Sequence, residues 1–167
     1  MRLFIAVPLS REMKQALIDM QNTMYDGGVR GNYTPEENMH LTLAFIGEYP
    51  DSEPVLDALS AISFSPFDIR LNGTGCFGDL WWAGISDSPP LSEVVRRLRR
   101  ALAENSIPFD RKRFSPHITL IRRASGKMPE IRLQPAAMTV RTISLMRSDR
   151  GKGGMIYTEL GTAEALS

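Results

Sequence analysis

The sequence is poor in several features that define common classes of protein. Among its 167 residues there is a single cysteine, Cys76, so an internal disulfide is excluded and a reducing cytoplasm is favoured. No apolar run approaches the ~20 residues that span a bilayer. Residues 1–8 are too short for a signal peptide and predict a first strand instead. We therefore expect a cytoplasmic protein that does not enter a membrane.

The sequence also lacks the motifs of other enzyme classes. It has no Gly-x-Ser-x-Gly nucleophile elbow, and the segment Gly151–Gly154 has neither the spacing nor the Lys-Ser/Thr end of a P-loop. Zinc needs three or four ligands from His, Cys and carboxylates. The chain offers two histidines and one cysteine, and Glu48 is the first acid beyond the first histidine segment. We expect neither a metal nor another cofactor, although folding could bring in distant carboxylates.

Charge is distributed unevenly although the net charge is only +1. Residues 1–60 carry 4 Lys or Arg and 9 Asp or Glu, whereas residues 111–152 carry 11 Lys or Arg and only two acids. Such asymmetry is typical of a protein that meets a polyanion from one side. Basic loops in contact with solvent are the alternative. The arginines at 96, 97, 99 and 100 are interpreted first of all as a helix face in contact with solvent. Contact with RNA is the second interpretation.

Hydrophobic periodicity predicts an α+β protein. Helices are expected from Ser10 to Gly27, from Asp51 or Ser52 onward, and from Pro89 onward. Strands are expected over 1–8, 67–76, 80–85, 138–147 and 155–160, in addition to two histidine strands, with a turn over 33–37 and a connection over 148–154. No flexible linker divides residues 1–167, which we expect to form one domain of two similar lobes of antiparallel sheet. Helices pack outside the lobes, which are related by a pseudo-twofold axis around a central cleft.

The main functional signal is a repeated segment that contains both histidines of the protein. The first copy reads His40-Leu41-Thr42-Leu43, and the second reads His117-Ile118-Thr119-Leu120. Because the side chains of a strand alternate between two faces, each histidine shares a polar face with the threonine two residues later. A pseudo-twofold arrangement of the two lobes would bring the four side chains into one cleft.

This set of side chains suits a displacement at phosphorus. With an ordinary pKa near 6.5, one imidazole can accept a proton from water while the other donates one to the leaving oxygen. The threonine hydroxyls can donate hydrogen bonds to phosphate oxygens. One His-x-Thr on an apolar strand is usually structural. Two copies that use every histidine favour catalysis.

The fifth position after each histidine is Phe45 in the first copy and Arg122 in the second. An aromatic ring and a guanidinium on opposite walls of one cleft could stack a base and bind a phosphate. The odd offset, however, places both on the opposite strand face from the histidines unless the strands twist, bulge or end. Under regular alternation Arg123 faces the cleft, and Phe45 is equally compatible with a place in the core. Trp81 and Trp82 are interpreted as packing residues.

The sequence resembles the two-histidine phosphoesterases, in particular the RNA 2′,3′-cyclic phosphodiesterases first described as 2′-5′ RNA ligases. The matching segments are 2–6, 39–47, 114–120 and 145–148, followed by Gly154 and Tyr157. The resemblance implies a bilobal fold and metal-independent hydrolysis of a 2′,3′-cyclic phosphate at an RNA end to a 2′-phosphate. It also implies weak reverse 2′-5′ ligation.

The same resemblance implies the roles of the site residues. His40 is the general acid for ribose O3′, His117 is the general base for water, Thr42, Thr119 and Arg122 bind phosphate, and Phe45 stacks on the terminal base. The residues themselves leave open which histidine is the acid. The partner is an RNA with a cyclic phosphate end, and we expect a monomer. Alternatives are an RNA-end binder without catalysis and a phosphodiesterase for small cyclic nucleotides or 2′-5′ oligonucleotides.

Overall fold

The described part of the chain folds into two antiparallel sheets with three α-helices. The structure, a computed structural model, describes residues 1–132 and 135–167. Its strands are β1 (Arg2–Pro8), β2 (Arg30–Tyr33), β3 (His40–Glu48), β4 (Phe67–Phe77), β5 (Leu80–Ile85), β6 (His117–Ser125), β7 (Ala137–Val140), β8 (Thr142–Gly151) and β9 (Gly154–Glu164). The helices are α1 (Arg11–Asp26), α2 (Glu53–Ser60) and α3 (Pro89–Glu104).

Each sheet contains one of the two histidine strands. The four-stranded sheet has the order β3-β1-β8-β9, so the His40 strand β3 lies at its edge. The five-stranded sheet has the order β2-β6-β5-β4-β7, so the His117 strand β6 lies between two partners. All strand pairs in both sheets are antiparallel. The structure thus confirms the expected α+β fold.

The helices begin where local chemistry favours it. The Ser10 side chain accepts a hydrogen bond from the N–H of Met13 at the start of α1, and Ser88 does the same for Leu91 at the start of α3. Proline occupies the first turn of α2 and of α3, where no backbone donor is needed. Helix α1 packs against β6 and β7, α2 packs against β8 and β9, and α3 contacts both α2 and β3.

The apolar residues of the two histidine strands form part of one core. Leu41, Leu43, Ile118 and Leu120 are at most 2% exposed, whereas the histidines and threonines between them are half-buried. The strands therefore bury one face and leave the polar face accessible, as the alternation predicts. In the described part of the chain, no helix is long and apolar enough to cross a membrane.

Two predictions about strands were wrong, and one strand was missed. The strand expected over 138–147 is two strands, because the chain leaves the five-stranded sheet after β7 and joins the four-stranded sheet as β8. The connection expected over 148–154 is mostly strand, since β8 and β9 pair as far as Gly151 and Gly154. Strand β2 was not predicted, because Arg30–Tyr33 contains little apolar surface.

Candidate active site

The two histidine strands meet at a cavity of about 920 Å³ between the sheets. Both histidines and both threonines of the repeated segment line it. Phe45 and Arg122, at the fifth position of each copy, line it as well. The structure therefore brings together all six residues that the sequence analysis singled out as candidates.

Both imidazoles are oriented by the same backbone contact. Nδ1 of His40 lies 2.7 Å from the carbonyl oxygen of Asn38, and Nδ1 of His117 lies 2.6 Å from the carbonyl oxygen of Ser115. A carbonyl oxygen only accepts hydrogen bonds, so Nδ1 carries a proton in both rings. Nε2 is then the nitrogen that can accept or donate a proton in the cavity.

Aromatic rings flank each histidine. Phe4 stacks on His40 with ring centroids 4.8 Å apart, and Tyr157 meets the His40 ring edge-on at 5.3 Å. Phe77 meets His117 edge-on at 5.2 Å, with Trp82 tilted against the ring at 6.1 Å. These contacts restrict how far either imidazole can rotate.

The sequence analysis did not predict that any of these four aromatic residues contacts a histidine. Phe4 and Tyr157 lie in segments that carry the family resemblance, and Trp82 faces the site because it pairs with Thr119. Trp81 is buried on the other face, in agreement with its interpretation as a packing residue. Phe77, which is 49% exposed, carried no signal, because its side chain reaches His117 from the end of β4, which is separated from β6 by β5.

The electrostatic environment of His40 opposes its protonation in the free protein. Burial lowers the pKa of His40 below its usual value, and the positive charges of Arg122 and Lys14 lower it further, against the opposite effect of the Asn38 carbonyl. Near neutral pH the free protein therefore favours the neutral imidazole at this position. A bound phosphate would act in the opposite direction, because a negative charge stabilises the imidazolium.

A bulge in β3 places Phe45 on the same face as His40. Against β1, Thr42 pairs with Ala6 and Ala44 pairs with Ile5, so Leu43 is an additional residue without a partner. One extra residue reverses the alternation beyond it. Phe45 consequently lies opposite Phe4, on the histidine face, and is 37% exposed. The guanidinium of Arg2 lies 5.1 Å from the centre of the Phe45 ring.

A second bulge occurs at the equivalent point of β6. Thr119 pairs with Trp82 and Ile121 pairs with Trp81, so Leu120 is the additional residue. Arg122 therefore lines the cavity, whereas Arg123 does not. Arg123 has a left-handed backbone conformation, with φ at 54°. Regular alternation would have placed Arg123 in the cleft, and that expectation was wrong because of this bulge.

Different groups support the two bulges. The buried side chain of Gln21, on α1, donates hydrogen bonds to the carbonyl oxygens of Leu120 and Thr34, at 3.0 and 2.9 Å. In β3 the backbone N–H of Asp110 donates to the carbonyl oxygen of Phe45, at 2.8 Å. Gln21 was not singled out from the sequence, since only the fold brings α1 beside the second histidine strand.

The described side chains at the cavity are not arranged as a metal site. Residues 1–132 and 135–167 contain no group of three or more His, Cys, Asp or Glu side chains that could hold a metal ion. The donors that converge on the cavity are instead two imidazoles, two hydroxyls and a guanidinium. This set suits proton transfer and the binding of an anion.

The sequence profile of the 2′-5′ RNA ligase superfamily matches residues 29–152, which is more than half of the chain. The chain belongs to this superfamily. Both histidine strands lie within the matched residues.

Two superfamily relatives are RNA 2′,3′-cyclic phosphodiesterases. The one from Thermus thermophilus is 35% identical over 180 residues, covering 96% of this chain and 88% of the relative. The one from Geobacillus stearothermophilus is 34% identical over 150 residues and 82% of this chain. This alignment spans 48% of the Geobacillus protein, so the chain matches about half of that relative's length.

Solved structures of the superfamily have the same fold. E. coli LigT complexed with 3′-AMP superimposes with a TM-score of 0.84 at 26% identity, covering 99% of this chain and 98% of LigT. The protein TT0787 of Thermus thermophilus superimposes with a TM-score of 0.80 at 32% identity, with 98% and 97% of the two chains covered. The two-sheet architecture is thus shared along nearly the whole chain.

Proposed function

We propose that the protein hydrolyses the 2′,3′-cyclic phosphate at the end of an RNA to a 2′-phosphate, by proton transfer between two histidines and without a metal. The observation that carries this proposal is that both imidazoles line one cavity and direct Nε2 away from a backbone carbonyl. The names of the relatives support the choice of substrate. We take residues 1–167 to act as one catalytic unit, as a monomer in the cytoplasm.

In the proposed reaction a water oxygen attacks phosphorus in line with the P–O3′ bond. Nε2 of His117 accepts a proton from that water, and Nε2 of His40 donates a proton to O3′ as the P–O3′ bond breaks. The products are a 2′-phosphate and a free 3′-hydroxyl. Attack by the 5′-hydroxyl of a second RNA in place of water would form a 2′-5′ linkage, which accounts for weak ligation.

The remaining residues stabilise charge and hold the nucleotide. The hydroxyls of Thr42 and Thr119 donate to the non-bridging phosphate oxygens, where the negative charge increases in the transition state. The guanidinium of Arg122 binds the same phosphate. The exposed ring of Phe45 stacks on the terminal base. One wall of the cleft thus supplies the base contact and the other supplies the cation.

The acid role of His40 requires that the substrate change its protonation. The pKa of His40 is lowered in the free protein, chiefly by burial, so the neutral ring is favoured there. The phosphate must raise this pKa when it binds, which its negative charge favours. The reverse assignment, with His40 as the base, needs no such rise.

A substrate with sulfur in place of O3′ tests the assignment. A thiolate leaves with little help from an acid, because a thiol has a pKa of ~8.5, far below that of an alcohol. His40→Ala is therefore expected to lose much less activity on the 3′-thio cyclic phosphate than on the natural one. His117→Ala is expected to lose the same factor on both. The opposite pattern would reverse the two roles.

The function itself is tested with an RNA oligonucleotide that ends in a 2′,3′-cyclic phosphate. In the presence of a chelator, we expect conversion to the 2′-phosphate, identified by the resistance of the product end to a 3′-specific phosphatase and by NMR. Tight binding without any product would favour an RNA-end binding module. Formation of a 3′-phosphate would contradict the in-line displacement of O3′.

A further inference from the structure

A second groove adjoins the catalytic cavity. It has a volume of about 840 Å³ and lies between the first half of α3 and residues 113–116. Four residues line both spaces: Arg99, Arg113, Phe114 and Ser115. The groove therefore adjoins the cavity that holds the two histidines, and these residues form the boundary between the two spaces.

The groove carries more positive charge than its surroundings neutralise. Arg96, Arg99 and Arg113 line it, and Asp87 is the acid among its lining residues. Arg96 is paired with Glu93. Within residues 1–132 and 135–167, neither Arg99 nor Arg113 forms a salt bridge. Two guanidinium groups at the boundary between the spaces thus remain able to bind an anion.

Arg99 is the most informative of these residues. Its Nε is buried and has no hydrogen-bond partner in the described part of the chain, and its guanidinium lies 5.7 Å from the ring centre of Phe109. A buried N–H group without a partner is unfavourable, and it is most strongly satisfied by a charged acceptor. An anionic oxygen at the boundary of the two spaces can reach the terminal nitrogens of the Arg99 guanidinium, whereas Nε becomes available to it only when the side chain shifts.

We propose that this arginine groove, formed by Arg96, Arg99 and Arg113, binds the phosphodiester backbone of the nucleotides immediately 5′ of the cyclic phosphate. The proposal rests on the proposed function, because it requires the RNA end to lie between the histidines. The strand then runs from the catalytic cavity past Arg99 and Arg113 into the groove. The enzyme therefore prefers an oligonucleotide end to a mononucleotide.

The test compares kcat/KM for a 2′,3′-cyclic mononucleotide with kcat/KM for a trinucleotide that ends in the same cyclic nucleotide. In the wild type the trinucleotide is the better substrate, and its advantage decreases with added salt because phosphate contacts are screened. In Arg99→Gln and in Arg113→Gln the ratio of the two kcat/KM values falls about tenfold, the usual effect of one lost hydrogen bond to a charged group. Arg113 is exposed, so its replacement keeps the test valid if Arg99→Gln folds poorly.

Arg100→Gln is the matched control. Arg100 lies on the same helix but lines neither space and is 3.6 Å from Glu104, so its replacement leaves the ratio unchanged. An unchanged ratio in both Arg99→Gln and Arg113→Gln would overturn the proposal. If the wild type cleaves neither substrate, the proposed function fails. The proposal for the groove is then tested separately, by measuring the binding of the 2′-phosphorylated trinucleotide. Tenfold weaker binding by the variants supports it, and equal binding overturns it.

Discussion

The two histidine strands are alike from the histidine to the bulge and differ in the residue at the fifth position after the histidine. Each has a histidine, a threonine two residues later and a bulge at the next leucine. The fifth position after the histidine lines the cavity in both strands, and it is Phe45 in β3 and Arg122 in β6. The repeated segment thus supplies a symmetric pair of imidazoles. In the proposed function, the asymmetric fifth position distinguishes the base side of the substrate from the phosphate side.

The surroundings of the two strands also differ. Strand β3 is an edge strand, and the Phe45 carbonyl accepts a hydrogen bond from the backbone of Asp110. Strand β6 is an inner strand, and the Leu120 carbonyl accepts one from the side chain of Gln21. Two copies of one segment therefore receive different hydrogen-bond support from the parts of the fold that surround them.

The largest expected effect on activity comes from replacing the histidines, which both strands share. His40→Ala and His117→Ala should each lower kcat by about 10²–10⁴, the usual contribution of one general acid or base. Each should also remove one limb of the bell-shaped pH profile of the wild type. The double variant should lose little more than the worse single variant, because the two groups act in one step. Full activity of either single variant, with folding confirmed by circular dichroism, would refute the paired mechanism.

The second prediction separates two neighbouring arginines. Arg122→Gln should lower kcat/KM by about 10- to 100-fold, because a hydrogen bond to a charged group contributes ~1.5–3 kcal/mol. Arg123→Gln is the control, since Arg123 does not line the cavity and glutamine preserves most of its length. Equal losses in the two variants would mean that general positive charge, rather than the bulge at Leu120, determines binding.

The third prediction concerns Phe45, at the fifth position after His40. Phe45→Ala should raise KM about tenfold with little change in kcat, as expected from the loss of one stacked base at ~1–3 kcal/mol. Phe45→Trp should retain the wild-type KM. A substrate whose terminal ribose lacks a base should not distinguish wild type from Phe45→Ala. If Phe45→Ala still has a higher KM than the wild type on that substrate, Phe45 stabilises the strand rather than stacking on the base.

The fourth prediction tests the support that only β6 receives from a side chain. Gln21→Leu removes two hydrogen bonds, while the Leu120 carbonyl keeps the backbone N–H of Thr34 as a donor, so the free energy of unfolding should fall by ~1–2 kcal/mol. At a temperature where the variant is folded, its activity should fall a few-fold. Most of this loss should come from weaker phosphate binding by Arg122. Gln15→Leu, which changes an exposed residue of the same helix bonded to Asp19, should leave both quantities unchanged.

The smallest effect is on the pH dependence of stability. Because burial lowers the pKa of His40 in the folded state, the unfolded chain binds its proton more readily. This contribution to stability is fully present above the unfolded pKa of about 6.5 and is lost as the pH falls below it. Urea unfolding at pH 7.5 and 5.5 should therefore show a smaller loss of stability in His40→Asn than in the wild type. An equal loss would contradict the lowered pKa.

The sequence predicted the polar faces of the two strands as far as each threonine but not the orientation of the residues beyond it. Period-two alternation suffices to pair His40 with Thr42 and His117 with Thr119, because these residues precede the bulges. The bulges occur at ordinary buried leucines, which carry no glycine or other mark of irregular backbone. The position of the bulge depends on the partner strand, and no local pattern contains that information.

Long-range packing accounts for the other missed features. Strand β2 was not predicted because its stability comes from β6. At Gly31 an added Cβ would lie 2.7 Å from Cγ2 of Ile121, so the close approach requires glycine. The change of sheet at Arg141 was hidden by continuous apolar alternation on both sides. Sheet membership is decided by tertiary contacts, which a single strand pattern does not encode.

The order of features along each strand has a practical consequence for redesign. The carbonyl groups that orient the two rings belong to Asn38 and Ser115, on the N-terminal side of each motif, whereas Phe45 and Arg122, which we propose contact the substrate, lie beyond the leucine at each bulge. Position 45 can thus be randomised in a library while the proposed phosphate contact of Arg122 and the backbone contacts of both imidazoles are kept. Altered nucleobase preference and preserved turnover are, on this scaffold, separately selectable traits.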